Sequence, residues 1–378
     1  MRWLIPIPFF FLIYGGICFY IGRKLLCFIR CFLPKTMTAA FWIPFALLCC
    51  AIILANLFRH NIPLLRQAGL FWMTVFPYML MCLVLSDAVR LALFLLGKKL
   101  PNFNMYSIGA ALLLCAILII YGLLHVRSIY TVNYRITLSG SGSPIRVVLV
   151  SDLHIGFSVG EAWVKRVADK INIEKPDMVF IAGDIFDGNL DVIRNLPGVI
   201  TQLKRINAPL GVYACLGNHD TDRMSFTGGR TERIAEILRE TDIVLLQDEA
   251  RAVRPNLYVA GRRDARPIGM NAHRKTPAEL LAGLDGTIIV LDHQPTQYPQ
   301  LEKAGANLVF SGHTHRGQLF PANLITWRIY KSAGAVHYGY WKGGSMQAVV
   351  TSGAGFWGPP LRIATNSEVA VIDIEFVP

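Results

Sequence analysis

The first third of the sequence is too apolar to fold in water. Four stretches are long enough to cross the hydrocarbon core of a bilayer, which takes roughly 20 helical residues; they cover residues 3–22, 38–58, 68–86 and 105–126. The first stretch has no small-residue cleavage site and is followed by three more, so we interpret it as a retained helix and not as a secretory signal. The pattern predicts an all-α transmembrane anchor of four helices over residues 1–127.

Charge is distributed unevenly along the chain. Residues 1–127 contain eleven Lys or Arg and one acidic residue, Asp87, whereas the remainder has twenty-six basic and twenty-four acidic residues. The basic residues of the first part flank the apolar stretches and form no single stripe, which is typical of membrane-proximal Lys and Arg and argues against nucleic acid as a partner. Asp87 and Arg90, spaced i and i+3, are expected to pair on one helix face and not to form a transport site.

The same basic residues predict how the chain crosses the membrane. The first and third loops carry six Lys or Arg, against five on the opposite side, and the excess marks the cytoplasmic side. The six are Arg23, Lys24, Arg30, Lys35, Lys98 and Lys99, and the five are Arg2, Arg59, Arg66, Arg127 and Arg135. By a margin of one charge, we expect a multi-pass protein of the cell membrane with its C-terminal domain on the non-cytoplasmic side.

Beyond residue 127 the pattern is that of an α/β domain. Apolar and polar residues alternate from Tyr130 to Ile136, which indicates a strand. Short runs rich in Val and Ile then alternate with helix-like segments, as in strands buried on both faces by helices. The runs cover residues 145–150, 178–182, 212–216, 288–291 and 308–310, and a last strand is expected over 369–376. A capping box from Thr276 to Glu279 predicts a helix start. We predict one catalytic domain over residues 128–378.

Each of the five runs ends in a cluster of polar residues. The clusters are Asp152-Leu153-His154, Gly183-Asp184-Ile185-Phe186-Asp187, Gly217-Asn218-His219-Asp220, Asp292-His293 and Gly312-His313-Thr314-His315. Because ligand-binding groups collect beyond the carboxyl ends of strands in such sheets, the clusters are expected to converge on one rim. Carboxylates, imidazoles and one amide suit Mn, Fe or Zn better than Ca, and so many ligands require two ions.

Taken one at a time, these motifs have ordinary structural explanations. Asp-x-His occurs by chance, His293 could be a core histidine, and Asn218 could cap a turn. Taken together, a purely structural explanation requires several charged or polar groups to be buried without a purpose, and each such burial costs free energy. We therefore favour a metal site.

The ordered motifs resemble those of the calcineurin-like metallophosphoesterases, from about residue 145 to the C-terminus. The segment 355–362 and the helical anchor are similar to a membrane-tethered subgroup of that family. The resemblance implies a sandwich of two β-sheets flanked by helices. It also implies that Asp152, His154 and His315 hold one metal ion, that Asn218, His293 and His313 hold the other, and that Asp184 bridges both.

Two divalent ions activate water near neutral pH and neutralise charge on phosphate oxygens, which is the chemistry of phosphate-ester hydrolysis. The leaving group then needs a proton, and His219, next to Asn218, is placed to act as the general acid. The resemblance implies that Asp187 orients His219. Asp220 is better explained as a turn or N-cap residue.

Three residues are candidates for substrate binding. Arg316 follows the last histidine of the motif, where the subgroup often has Gly, and its guanidinium could bind a second phosphate or an acidic headgroup; a solvated surface arginine is the alternative. Phe157 and Trp357, together with Phe356, could form an apolar rim, whereas packing in the core is their ordinary explanation. The turn Arg262-Arg263-Asp264 also departs from the family, since it replaces a more acidic turn, and it could bring positive charge near the site.

These observations favour a membrane-anchored hydrolase that cleaves a phosphodiester or pyrophosphate bond in a lipid-linked substrate. The lipid part depends on the anchor and on family analogy. By that analogy UDP-2,3-diacylglucosamine, whose pyrophosphate joins an acylated sugar to a nucleotide, is a candidate. Two alternatives stay open: a phosphodiesterase for soluble nucleotides or organic phosphates, and a membrane receptor or scaffold with an inactive metal domain.

Overall fold

The computed structural model describes residues 6–32, 34, 38–58, 62–98, 101–188, 190–221, 229–265 and 273–377. The chain divides into two compact units, residues 1–123 and 124–378. Four basic residues used for the membrane orientation, Arg2, Lys35, Arg59 and Lys99, lie outside the described residues, as does the start of the first predicted span.

Four long helices make up the first unit: α1 (Pro6–Ile29), α2 (Thr38–Leu57), α3 (Pro63–Leu95) and α4 (Phe103–His125). All four are long and apolar enough to cross a membrane, so the four predicted spans are confirmed as apolar helices. Helix α3 has 33 residues and is longer than the predicted span. The predicted span was limited to the apolar stretch between the charged residues at 66, 87 and 90. The backbone hydrogen bonds of a helix continue through charged residues, so the helix itself is longer.

Asp87 has closer partners than the one predicted. Lys24 Nζ lies 2.5 Å from Asp87 Oδ1, and the Tyr20 hydroxyl donates a hydrogen bond to Asp87 Oδ2 over 2.8 Å. Arg90 Nη2 is 3.7 Å from Asp87 Oδ1. The main ion pair therefore links α3 to α1, a contact between helices that residue spacing within one helix cannot show.

The second unit contains two six-stranded sheets. The strands are β1 (Ile129–Ser139), β2 (Ile145–Val150), β3 (Met178–Ala182), β4 (Val212–Cys215), β5 (Ile243–Leu245), β6 (Glu249–Arg254), β7 (Leu257–Gly261), β8 (Thr287–Leu291), β9 (Leu308–Ser311), β10 (Gly339–Gly343), β11 (Met346–Val350) and β12 (Ser367–Val377). The strand order is β1-β12-β2-β3-β4-β5 in the first sheet and β10-β11-β9-β8-β7-β6 in the second. Strands β2 to β5 run parallel, and so do β7, β8, β9 and β11.

The two sheets pack face to face and helices cover their outer faces. Between the sheets the rings of Phe180 and Phe310 lie 5.2 Å apart, within one apolar core. Helices α5 (Glu161–Ile173), α6 (Leu196–Lys204) and α7 (Arg230–Glu240) pack on the first sheet, and α8 (Pro277–Leu281) and α9 (Tyr298–Lys303) pack on the second. A further helix, α10 (Ala322–Ser332), has no buried residue. The fold is the predicted sandwich of two sheets flanked by helices.

Most of the predicted strands are confirmed within one or two residues. The five runs that carry the polar clusters correspond to β2, β3, β4, β8 and β9, and the capping box between Thr276 and Glu279 is present at the start of α8. Strands β5, β6, β7, β10 and β11 were not predicted. β6 is a half-exposed strand of sequence EARAVR, which has too few buried apolar residues to show a strand pattern.

Candidate metal centre

The five polar clusters lie at one rim because the strands that precede them end there. The Asp152 N–H donates to the Gly183 carbonyl over 2.9 Å, which joins the loops after β2 and β3. The Gly312 N–H donates to the His293 carbonyl over 3.0 Å, which joins the loops after β9 and β8. The His313 N–H donates to Asp152 Oδ2 over 3.0 Å and thereby connects the two sheets. The predicted convergence is therefore present in the structure.

A first group of metal-ligating atoms comes from Asp152, His154 and His315. His315 Nε2 lies 3.4 Å from Asp152 Oδ1, and His154 Nε2 lies 4.0 Å from the same oxygen. The two Nε2 atoms are 3.0 Å apart. Both rings and the carboxylate thus turn their ligating atoms towards one point.

A second group comes from Asp184, His293 and His313. His293 Nε2 lies 3.1 Å from Asp184 Oδ2 and 3.3 Å from His313 Nδ1. The other ring nitrogen of His293, Nδ1, lies 2.8 Å from the Ala182 carbonyl oxygen, so Nε2 is the nitrogen that would bind a metal ion. Asp184 Oδ2 is also 3.7 Å from His154 Nε2, so this carboxylate lies between the two groups.

Unpaired polar atoms indicate that the residues fit divalent cations. Asn218 Oδ1 is buried, and among the described residues it has no hydrogen-bond partner. An unsatisfied buried acceptor costs about 1–3 kcal/mol, and a cation removes that cost. The donor set of carboxylate, imidazole and amide is the set that borderline divalent ions such as Mn, Fe and Zn prefer.

The backbone at the centre is strained. Five of the seven proposed ligands have left-handed backbone conformations, namely Asp152 (φ 52°), His154 (φ 48°), Asp184 (φ 49°), His313 (φ 70°) and His315 (φ 49°). Such conformations cost about 1–3 kcal/mol per residue and persist where the surrounding structure enforces them, often at functional sites. A shared unusual conformation at so many ligands supports a common function.

Two glycines allow the loops to approach each other. A Cβ atom at Gly217 would collide with Asp184 Oδ1, and a Cβ atom at Gly312 would collide with Asp152 Oδ2. Any larger residue at these two positions would displace a carboxylate of the centre.

Burial and neighbouring charges set the protonation of the ligands. Burial and the adjacent His293 lower the pKa of His313 to about 4, and burial and the adjacent His154 hold the pKa of His315 well below its usual value. Burial alone would raise the pKa of Asp184, but His293 and His154 outweigh it and hold that pKa below the usual range. Near neutral pH, His313 and His315 are therefore neutral and Asp184 is ionised, which are the forms that bind metal. Burial alone would lower the pKa of His293, but Asp184 and Asp152 outweigh it and hold that pKa well above its usual value, so a metal ion at Nε2 would displace a proton.

His219 and Asp187 form a pair beside the first group. His219 Nδ1 lies 3.0 Å from Asp187 Oδ1, and the imidazole is 19% exposed. Burial lowers the pKa of His219, but the hydrogen bond to Asp187 and the nearby Asp184 raise it by more, so the pKa lies above its usual value. With a proton on Nδ1 held by Asp187, the Nε2 atom of His219 is the one that can donate. His219 also lies close enough to His154 and Asp184 to be a ligand by distance.

Asp220 braces two of the metal-binding loops, a role that the sequence did not indicate. Its buried carboxylate accepts hydrogen bonds from the N–H groups of Ile185 (3.1 Å), Phe186 (2.8 Å) and Gly217 (2.9 Å). These bonds tie the loop after β3 to the loop after β4. Asp220 lies in a turn, as we predicted, and its carboxylate in addition holds the two loops together; among the described residues the next helix, α7, begins at Arg230.

Two buried arginines support the centre from behind. Arg362 is 0% exposed, and its Nη2 atom donates to the carbonyl groups of Ser352 (2.7 Å) and Gly355 (2.8 Å). Arg262, expected to bring positive charge towards the substrate, is instead buried against Asp292, with Nη1 2.7 Å from Oδ2. Arg262 shares the Asp292 carboxylate with Arg274 and thereby braces the residue next to His293.

The structure places the substrate-binding candidates in different surroundings. The guanidinium of Arg316 lies 4.2 Å from the centre of the Tyr338 ring, so this arginine is stacked and not freely solvated. Phe157 is half-buried and lines a cavity of about 410 Å³ together with Trp163, Arg166 and Arg194. Trp357 is 55% exposed, and its ring lies 6.3 Å from that of His219. Phe356 is buried against Trp163, so for this residue packing in the core was the right explanation.

Comparisons with known proteins agree with this centre. Residues 145–317 match the calcineurin-like phosphoesterase family. An uncharacterised metallophosphoesterase of Campylobacter jejuni is 27% identical, over 76% of this chain and 76% of that protein. The transmembrane protein with metallophosphoesterase domain of Danio rerio is 32% identical, over 69% of this chain and 61% of that protein. UDP-2,3-diacylglucosamine pyrophosphatase of Chlamydia trachomatis is 26% identical, over 48% of this chain and 68% of that protein.

The chain carries a calcineurin-like metallophosphoesterase domain. With four apolar helices ahead of that domain, it is a membrane-tethered, metal-dependent phosphoesterase. The match spans about three fifths of the Danio rerio relative.

Proposed function

We propose that the catalytic unit hydrolyses a phosphodiester or pyrophosphate bond in a lipid-linked substrate with the help of two divalent metal ions. The observation that carries the lipid part is Trp357, which is 55% exposed and lies beside His219 in a chain that is anchored in a membrane. Exposed tryptophan at a site mouth is suited to an amphipathic substrate, because the ring is apolar and its N–H is polar.

The distances favour two metal positions. Asp152, His154 and His315 would hold one ion, Asn218, His293 and His313 the other, and Asp184, which lies between the two groups, would contact both. Such ions supply Lewis-acid activation of water and neutralise the charge on phosphate oxygens. We take manganese, iron or zinc as the candidates from the mixed oxygen and nitrogen donors.

The protein's own residues then position the substrate and supply the proton. Asp187 holds the Nδ1 side of His219, so that Nε2 donates a proton to the leaving oxygen of the substrate. Arg316, held on the Tyr338 ring, would contact a second phosphate. Phe157 and Trp357 would contact the apolar part of the substrate.

The relative from Chlamydia trachomatis, by its name a UDP-2,3-diacylglucosamine pyrophosphatase, supports a substrate of that class, an acylated sugar joined to a nucleotide by pyrophosphate. The basic residues of the loops favour a catalytic unit on the non-cytoplasmic side of the cell membrane.

The test is turnover of the full chain, purified with Mn²⁺, on three substrates: a lipid pyrophosphate in mixed micelles, its deacylated analogue, and a soluble nitrophenyl phosphodiester. We expect kcat/KM for the acylated substrate to exceed that for the deacylated analogue by more than tenfold. Equal values would overturn the lipid part and favour soluble nucleotides or organic phosphates. Absence of turnover on all three, with metal bound, would favour the inactive receptor or scaffold.

A further inference from the structure

Helix α10 exposes the kind of residues that helices on a domain surface usually turn inwards. Leu324 (55%), Ile325 (59%), Trp327 (45%) and Ile329 (58%) are exposed, and no residue of the helix is buried. A surface helix of a water-soluble domain normally packs its apolar side on the core. Contiguous apolar residues on a surface indicate a contact with a protein or a membrane.

The charged residues on α10 all have one sign. The helix contains no acidic residue, and its basic side chains, Arg328 and Lys331, are exposed. Lys331 Nζ lies 4.8 Å from the centre of the Trp327 ring. Between Glu302 and Glu368 the sequence has six basic residues and no acidic one. The partner that fits this surface is therefore both apolar and anionic.

The helix is built onto the metal centre. A Cβ atom at Gly317, two residues after His315, would collide with the backbone of Asn323 in the first turn of α10. Just before the helix, the Gln318 side chain donates to the Trp357 carbonyl and accepts from the Trp357 N–H, both over 2.9 Å. α10, Trp357 and His315 consequently belong to one packed region of the catalytic unit.

We propose that α10 is a membrane-docking helix, which lies in the headgroup region of an anionic bilayer and turns the metal centre towards the membrane surface. The chain itself brings a bilayer within reach, because three residues separate the end of α4 from the start of β1 and span at most about 10 Å. Tryptophan favours the interface, and long basic side chains extend from apolar surroundings to phosphate groups.

A second protein fits this surface less well than a bilayer does. Protein interfaces are depleted in lysine at their centre, whereas the exposed apolar residues of α10 lie next to two exposed basic residues, and Lys331 Nζ is 4.8 Å from the centre of the Trp327 ring. The inference is independent of the proposed substrate, because docking is measured without substrate.

The experiment measures the contact between Trp327 and lipid in the full chain. The protein is reconstituted in nanodiscs of phosphatidylcholine and phosphatidylglycerol, with or without bromine on the acyl chains, which quenches nearby tryptophan fluorescence. The contribution of Trp327 is the difference between the wild-type protein and Trp327→Phe. We expect brominated lipid to quench most of that contribution.

Variants separate docking from folding. The first is the double variant Ile325→Glu with Ile329→Glu. It is compared with the same double variant that also carries Trp327→Phe, and brominated lipid is expected not to quench the Trp327 contribution obtained from this pair. The matched control is Ile173→Glu, at an apolar residue of the same unit that is 71% exposed on α5, and it should keep the quenching. Arg328→Gln and Lys331→Gln should each lower the ratio of docked to undocked protein by roughly fivefold on anionic discs. Turnover of a soluble nitrophenyl phosphodiester checks that each variant is folded.

Two results would overturn the proposal. In the first, aqueous iodide quenches the Trp327 fluorescence and brominated lipid does not, which would mean that α10 lies in water. The other is protection from both quenchers, which would mean that protein covers α10, either other parts of the same chain or a second copy.

Discussion

A water-soluble domain usually buries apolar side chains and exposes charged ones, and the catalytic unit departs from this rule in two regions. One is the metal centre with the residues behind it, and the other is its mouth, the opening beside His219 and Trp357. In and behind the centre, charged residues such as Asp152, Asp220 and Arg362 are almost completely buried. Around the mouth, Trp357 and the apolar residues of α10 are exposed. Either arrangement costs free energy in water unless a further component compensates for it.

The compensating component differs between the two regions. Backbone N–H and carbonyl groups pair with the buried charges of Asp220 and Arg362, and metal ions would pair with those of Asp152 and Asp184. For the exposed apolar residues the described part of the chain offers no such cover, and we assign that role to lipid. If this contrast is right, substitutions behind the centre should affect all substrates and stability, whereas substitutions at the mouth should affect lipid substrates alone.

The largest effect is expected for Asp184→Asn. The Asp184 carboxylate lies between both ligand groups, so loss of its charge should weaken both metal sites and abolish measurable hydrolysis of every substrate. Metal content by mass spectrometry and turnover of a nitrophenyl phosphodiester provide the two measurements. Two tightly bound ions with full turnover in this variant would refute the bridging role.

A smaller effect is expected for His219→Ala, which should retain the metal ions and lose about 10²–10⁴-fold in kcat, the usual contribution of a general acid. The loss should shrink on nitrophenyl esters, whose leaving groups need little protonation. Loss of metal from the variant would make His219 a ligand, and an equal loss on good and poor leaving groups would argue against proton donation.

The free energy of unfolding is expected to depend on the hydrogen bonds that Asp220 makes behind the metal centre. Asp220→Ala leaves the N–H groups of Ile185, Phe186 and Gly217 without their acceptor. At about 1–3 kcal/mol for each unsatisfied donor, we expect the free energy of unfolding to fall by about 3 kcal/mol or more, measured by denaturant titration of the full chain in detergent. Asp220→Asn keeps one oxygen acceptor and should lose less.

Asp169→Ala, which removes the surface ion pairs with Lys165 and Arg205, serves as the control and should change stability little. A loss as large as that of Asp220→Ala would contradict the bracing role of Asp220.

How far the sequence predicts this molecule depends on whether a feature is local. The strand ends and their polar clusters were predicted correctly, because a buried run followed by Asp-x-His or Gly-Asn-His is visible within a few residues. The brace by Asp220 was missed, since it joins a residue after β4 to N–H groups after β3. Arg362 was missed for the same reason: its carbonyl partners have no signature in the sequence.

The limits of hydrophobic pattern are clearest at α10. Leu324, Ile325, Trp327 and Ile329 are apolar residues of the kind that a domain core usually buries, and only the structure shows that nothing among the described residues buries them. The left-handed backbone of Asp152, His154 and Asp184 is a second example. Non-glycine residues seldom adopt that conformation, so a residue-by-residue preference does not predict it.

The smallest expected effect concerns Trp357, and it decides whether the mouth is an apolar rim. The backbone of Trp357 is held by two hydrogen bonds to the Gln318 side chain, so Trp357→Ser should leave the loop in place and remove only the exposed ring. Partial burial of such a ring against an acyl chain contributes roughly 1–2 kcal/mol, so hydrolysis of a bilayer-embedded lipid pyrophosphate should fall about tenfold while nitrophenyl-ester turnover persists. Phe157→Ser, at the half-buried ring that lines the neighbouring cavity, is expected to act in the same direction, and Ile173→Ser is the control for loss of an exposed apolar side chain. Selective loss on the lipid would support different roles for the mouth and for the buried residues behind it. An equal loss on both substrates would place Trp357 among the residues that support the metal centre, and the helical anchor would then be a tether alone.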